Sequence, residues 1–191
     1  GSVLVDKNLF DIFIKDISVL NKLGFIPIIV HGGGKRISNK LNETGIKSEF
    51  VKGLRVTSKE TIEVVEKVLI DFNKEIIEAL KQQACNSQTI NSKQNNIITV
   101  VQESTDLGFV GTPTEINKTI IDKIVDEKKV PVIAPLGLDE SNQTYNINAD
   151  TAAGSIAKKI EARRLIIMSD VEGVLDDNNK LIPEINSQSI Q

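Results

Sequence analysis

Residues 26–37, Ile-Pro-Ile-Ile-Val-His-Gly-Gly-Gly-Lys-Arg-Ile, hold the only histidine of the chain and three of its twelve glycines. Glycine loses more backbone freedom on folding than any other residue, so a triplet is retained where bare main chain is needed. Here the triplet follows a short apolar, β-branched run and precedes a segment able to start a helix. A tight turn of that kind points successive backbone N–H groups at one spot beside a helix N-terminus. Such an arrangement binds anions, phosphate above all.

Several unrelated sites use glycine in this way, and the remaining residues exclude three of them. A dinucleotide fingerprint requires a last glycine where Ile37 stands. A Walker A loop requires Lys followed by Ser or Thr, whereas Lys35 is followed by Arg36. A His-Gly-Gly-Gly oxyanion hole needs a Gly-x-Ser-x-Gly elbow and a triad histidine. The chain has no such elbow, and its sole histidine, His31, lies in the loop itself. His31 therefore reads as a hydrogen-bonded structural residue, and Lys35 and Arg36 as surface cations at a helix start.

The elements that must position this loop are legible from periodicity. Leu9, Phe13, Ile17, Leu20 and Leu23 recur at helical spacing, with Gly24 as a stop. Residues 25–30 read as a strand buried on both faces, and residues 35–41 as a helix. Thr57 and Glu60 suggest a capping box before a long helix whose apolar face is Ile62, Val65, Leu69, Phe72, Ile76 and Leu80. The polar stretch 86–96 reads as an exposed loop. Residues 97–101, 130–135 and 164–168 are predicted buried strands. Thr112 to Glu115 suggest a second capping box with Pro113 at the first helical position, followed by a helix marked by Ile116, Ile120 and Ile124. Residues 149–162 are predicted to form a helix whose Ala152, Ala153, Gly154 and Ala157 permit close packing. A hairpin is expected around Asp177 to Asn179. Alternating strands and helices of this type predict an α/β fold, a three-layer α/β/α sandwich around a mostly parallel open sheet.

Composition narrows the partners. At 191 residues, 40% hydrophobic and 26% charged, the chain has the composition of a soluble globular protein. A net charge of −3 and a pI near 5.3 leave no footprint for nucleic acid. No apolar run approaches the ~20 residues that span a bilayer, and no signal peptide opens the chain. The lone Cys85 excludes an internal disulfide and suits a reducing compartment; a partly buried place near a helix end is expected for it.

Four motifs in order carry a resemblance: VHGGGKRI at 30–37, KGLRVT at 52–57, YNINAD at 145–150 and SDVEGVLD at 169–176. Together they resemble the amino acid kinase family, in the branch that acts on N-acetylglutamate. The opening GSVL is similar to the end of that family's Lys-x-Gly-Gly-Ser start, which makes Gly1 the second glycine of the motif. The resemblance implies the amino acid kinase (carbamate kinase-like) fold. It also implies transfer of the γ-phosphoryl of ATP to the γ-carboxylate of N-acetyl-L-glutamate, the second step of arginine synthesis. Attacker and donor are both anions, so such an enzyme must align them and absorb spreading charge.

By the same resemblance, Gly33 and Gly34 apply backbone N–H groups to the γ-carboxylate and the travelling phosphoryl, helped by Gly1. Arg55 clamps the α-carboxylate and Asn146 completes that grip. Asn148 belongs with the substrate-binding set, and Asp150 orients two catalytic lysines. As bare residues, Asn148 and Asp150 also suit helix capping. Asp170, Val171, Glu172, Gly173, Val174 and Leu175 would lie against ribose and phosphates, or would form a simple hairpin entry. Mg²⁺ would arrive on the phosphates.

The family's first catalytic lysine should fall three residues ahead of Gly1, and its second beyond the hairpin. The expectation is a fragment, nearly inactive alone, with residues 1–163 as the acyl-substrate and dimerisation lobe and 164–191 opening the ATP lobe. The resemblance further implies a homodimer or larger oligomer, a possible PII-type signalling partner, and a cytoplasmic or, less readily, plastid location. A glutamate or aspartate kinase of the same family, or a catalytically silent regulatory relative, remains open on these residues.

Overall fold

The computed structural model describes residues 6–169, 173, 174, 176 and 180–184. The first described element is helix α1 (Lys7–Lys22), capped by the Asp6 carboxylate, which accepts from the Leu9 N–H at 3.0 Å. Its buried stripe is Phe10, Ile14 and Ile17, at i, i+4 and i+7. The expected stripe ran through Leu9 and Leu20, which are exposed. The helix is thus rotated by about one residue relative to that expectation, because Phe10 fills the space beside Phe72 of the long helix.

Strand β1 (Ile29–Val30), helix α2 (Gly34–Glu43), the hairpin β2 (Phe50–Val51) and β3 (Leu54–Arg55), and helix α3 (Lys59–Gln82) follow. All six apolar positions expected on α3 are buried. The cap of α3 is Ser58, whose Oγ accepts from the Thr61 N–H at 3.2 Å, rather than Thr57. Thr57 is instead held in a parallel bridge to Gly108, its N–H donating to Leu107 O, so the next residue takes the cap.

Strand β4 (Ser87–Ile90) corrects the expected loop at 86–96: it pairs in parallel with β7 (Val130–Ile133), which also pairs with β1. Ladder bonds, and a polar partner for Thr89 on α3, outweigh the loop-like composition. Strand β5 (Ile98–Gln102) and a 3-10 turn (Thr105–Leu107) lead into β6 (Gly111–Ile116). The second expected capping box is therefore a strand. β6 lies at the edge of its sheet, where the missing N–H of Pro113 is tolerated. Helix α4 (Lys118–Asp126) starts later, and β8 (Leu136–Leu138), β9 (Thr144–Asn146) and α5 (Ala149–Lys159) complete the described elements.

Among the described residues three sheets result: a parallel one in the order β1-β7-β4, a mixed one in the order β6-β5-β8-β9, with only Ala134 and Pro135 between β7 and β8, and the separate two-stranded β2-β3 hairpin. Alternation along β7 sorts the layers. Val130 and Val132 pack with α1 and α3, whereas Ile133 packs with Ile121 and Ile124 of α4 and Ile156 of α5. Helices therefore cover both faces, as the sandwich reading requires. Cys85 is buried just past α3, close to its expected place.

Residues 164–168 form no strand. Leu165, Ile166, Ile167 and Met168 are exposed, Ile166 at 78%, because no neighbouring strand among the described residues supplies a ladder. The expected hairpin turn at 177–179 lies outside the described residues. Its flanks do approach, with Ile182 N–H donating to Val174 O at 2.8 Å and Asp176 N–H to Lys180 O at 2.9 Å.

Candidate active site

The glycine loop leaves β1 through His31 and enters α2 at Gly34, with Gly33 as the cap residue. No side chain caps this helix. Among the described residues, the N–H groups of Gly32, Gly33 and Gly34 donate to no protein acceptor. Orphan donors at a helix start carry a partial positive charge. They border a cavity of about 290 Å³, walled also by Arg55 and by Asn146, Asn148 and Asp150. The N-terminus of α5 meets the same cavity, so two helix starts converge on one space.

Arg55 is brought in by the β2–β3 hairpin. Its turn residues, Lys52 and Gly53, both have positive φ, as a tight two-residue connection requires. Register places Phe50 opposite Arg55, and the guanidinium carbon sits 4.5 Å from the Phe50 ring centre. Nη2 donates to Gly34 O at 3.1 Å and to Ser38 Oγ at 3.0 Å, while Nη1 donates to Ser48 Oγ. Arg55 is only 6% exposed and makes no ion pair with any described residue. Burial lowers its pKa, yet a guanidinium stays charged at neutral pH. A buried charge without a counter-ion is costly and suits an anionic ligand.

Asn146 is held by its N–H, which donates to Phe109 O at 2.9 Å, and its side chain makes no hydrogen bond among the described residues. Nearby, the Glu66 carboxylate on α3 accepts from Ser92 Oγ at 2.6 Å, Thr144 Oγ1 at 2.8 Å and Lys93 Nζ at 3.2 Å. Burial pushes this carboxyl up, but those three donors outweigh it and hold Glu66 below the usual range. The contact ties α3 to the strand that delivers Asn146. Asn148 is the cap of α5, its Oδ1 accepting from Asp150 N–H and Thr151 N–H at 3.0 Å each. Capping therefore occupies the Asn148 oxygen, leaving its amide N–H groups at the cavity. Asp150 is exposed there.

The structure thus gathers Gly33, Gly34, Arg55, Asn146, Asn148 and Asp150 around one cavity. Gly173 and Val174 do not line it, and Val174 is 57% exposed. Gly1, Asp170, Val171, Glu172 and Leu175 lie outside the described residues. Ser38 and Ser48, which hold the Arg55 fork, are additions that no motif announced. Arg36 is no ligand of this cavity. It forks onto Glu75, at 2.6 and 3.0 Å, and stacks 3.9 Å over Phe72.

His31 is 1% exposed, and burial lowers its pKa from 6.5 to about 4, with Arg36 adding to the effect. It is neutral at pH 7 and structural, as its place in the loop suggests. The unfolded chain binds this proton near pH 6.5 and the folded chain only near 4, so stability is complete above 6.5 and is lost as pH falls between the two. The expected loss is about 3 kcal/mol. Urea titrations at pH 7 and pH 4 should therefore show a steeper decline than in a His31→Gln variant; equal declines would contradict it.

Comparisons with known proteins identify the family and the fold. The model of the amino acid kinase family matches residues 1–191. The chain is 68% identical over 188 residues to acetylglutamate kinase of Pelagibacter ubique (strain HTCC1062), covering 98% of this chain and 65% of that protein. It is 41% identical over 192 residues to acetylglutamate kinase of Campylobacter fetus subsp. fetus (strain 82-40), covering all of this chain and 69% of that one. The chain thus spans about two thirds of the length of these relatives. Among solved structures, smu.665 from Streptococcus mutans UA159 superposes with a TM-score of 0.80 at 32% identity, over 86% of this chain and 68% of that one. N-acetylglutamate synthase from Neisseria gonorrhoeae shares the fold, with a TM-score of 0.79 at 20% identity over 93% of this chain and 42% of that one. With a family model matched over residues 1–191 and a relative 68% identical, the chain belongs to the amino acid kinase family.

Proposed function

We propose that the full-length protein transfers the γ-phosphoryl of ATP to the γ-carboxylate of N-acetyl-L-glutamate, as the names of its relatives suggest. One observation carries this reading: the buried Arg55 has no counter-ion among the described residues and shares its cavity with orphan glycine N–H groups. A substrate with two carboxylates answers both features. Arg55 and Asn146 take the α-carboxylate, while Gly33 and Gly34 take the reacting end.

The chemistry asks little of acid–base groups. A γ-carboxylate is already ionised near pH 7, so no general base is needed. The burden is to hold two anions in line and to oppose the charge that spreads over the phosphoryl oxygens. The helix starts of α2 and α5 oppose that charge with fixed dipoles. Asp150 is assigned to orient cations facing the phosphoryl. Mg²⁺ is assigned to the phosphates of ATP, which bring most of its ligands. Division into an acyl-substrate lobe at 1–163 and the start of a nucleotide lobe at 164–191, assembly as a homodimer or larger oligomer, and a cytoplasmic location belong to the same proposal. No helix among the described residues is long and apolar enough to cross a membrane.

The test is an assay of the full-length protein with ATP, Mg²⁺ and hydroxylamine, which traps acyl phosphates as hydroxamates. N-acetyl-L-glutamate should be turned over at least about a hundredfold more efficiently than L-glutamate or L-aspartate, the discrimination expected of a site built around a substrate amide. Equal turnover of L-glutamate would overturn the substrate assignment.

A further inference from the structure

Behind the glycine loop lies a chain of buried and half-buried polar groups that the phosphoryl-transfer reading does not use. Asn73 is fully buried on α3, on the apolar face between Phe72 and Ile76. Its Nδ2 donates to Val132 O at 2.9 Å and approaches His31 Nε2 at 3.1 Å, while its Oδ1 accepts from Thr89 Oγ1. Asn91 Nδ2 in turn donates to Thr89 Oγ1 at 3.2 Å.

Two carbonyl groups fix the direction of every bond. Val132 O can only accept, so the Asn73 atom facing it is the amide nitrogen. That same nitrogen faces His31 Nε2, which must therefore be the acceptor, placing the imidazole proton on Nδ1. At the other end, Nδ1 lies 3.1 Å from Gly32 O, a second pure acceptor, and demands the same tautomer. The relay runs one way, from Asn91 through Thr89, Asn73 and His31 to the first carbonyl of the glycine turn. An edge-on contact with the Phe72 ring, centroids 5.2 Å apart, fixes the imidazole plane.

We propose that Asn73 is a positioning residue for the glycine cradle: through His31 it holds the Gly32 carbonyl, and so aims the N–H groups of Gly33 and Gly34 at the cavity. With Gly32 O tied to the imidazole, the peptide planes that follow lose their freedom to rotate. Three glycines could otherwise sample many orientations, and ordering them beforehand is what a cradle for a reacting anion needs. Neutral His31 over the working pH range, a consequence of its burial, keeps the relay unidirectional. This inference rests on the assignment of the loop as the cradle for the reacting carboxylate.

The experiment is ¹⁵N NMR of the full-length protein, wild type and Thr89→Val. The substitution removes the hydroxyl that anchors the Asn73 Oδ1 while keeping its shape, which loosens the side chain that supports His31. In the wild type, the imidazole nitrogens should report a single Nδ1–H tautomer from pH 5 to 8. In Thr89→Val the Nδ1–H tautomer should persist, because Val132 O and Gly32 O still require it, but the amide resonances of Gly33 and Gly34 should shift, and KM for N-acetyl-L-glutamate should rise about fivefold, as for one lost hydrogen bond. An Nε2–H tautomer in the wild type would overturn the relay. So would Thr89→Val with unchanged Gly33 and Gly34 amides. If both spectral results hold but the wild type binds no N-acetyl-L-glutamate, the relay stands and the substrate assignment falls.

Discussion

Replacing Arg55 with lysine in the full-length protein is expected to raise KM for N-acetyl-L-glutamate about a hundredfold, with KM for ATP unchanged. Lysine keeps the charge but not the planar fork, which here reaches Gly34 O, Ser38 and Ser48 together while stacking over Phe50. Hydrogen bonds to charged groups are worth roughly 1.5–3 kcal/mol each, and the upper end of that range gives the factor stated. A loss of fold would give the same number for the wrong reason, so the substrate must be varied too. 4-Acetamidobutyrate retains the acetamide and the reacting carboxylate but lacks the α-carboxylate. The wild type should handle it about as poorly as Arg55→Lys handles N-acetyl-L-glutamate, and the variant should handle it no worse than the wild type does. A further large loss in the variant with 4-acetamidobutyrate would place Arg55 elsewhere than on the α-carboxylate.

Arg55 also shows why sequence alone reaches only part of the site. A lone arginine is ordinarily a surface cation, and what singles this one out is its burial by a hairpin whose strands are two residues each. The strand–glycine–helix unit and the apolar face of α3 are legible because their determinants are local and periodic. Residues 86–96 and 112–115 are not, because long-range pairing decides them. Thr89 is satisfied by Asn73 and by β7, and Pro113 is tolerated only because β6 is an edge. The apolar run 164–168 carries the local signal of a strand without a described neighbour to pair with. Asn73 did leave a trace: it stands at i+4 from Leu69 and i−3 from Ile76, a polar amide on an apolar face. A polar residue at a core position must find buried partners, and here those partners end at the glycine loop.

The same loop separates a packing glycine from a binding glycine. A methyl group on Gly33 would stand 2.7 Å from Leu69 Cδ2, inside the core, so Gly33→Ala should destabilise the fold by about 1–3 kcal/mol. On Gly34 a methyl would meet no protein atom within 4 Å, and the residue already begins a helix. Gly34→Ala should therefore melt at the wild-type temperature or slightly above, since alanine restricts the unfolded chain. Its cost falls on the ligand, because Gly34 lines the cavity and main chain alone allows close approach there. A misplacement of reacting groups by about 1 Å costs on the order of a hundredfold, so kcat/KM should fall by at least that factor in a fully folded variant. Thermal melts and hydroxamate assays on both variants decide the matter. A Gly34→Ala protein that melts normally and keeps wild-type turnover would remove this residue from the cradle and leave the triplet with a packing role only.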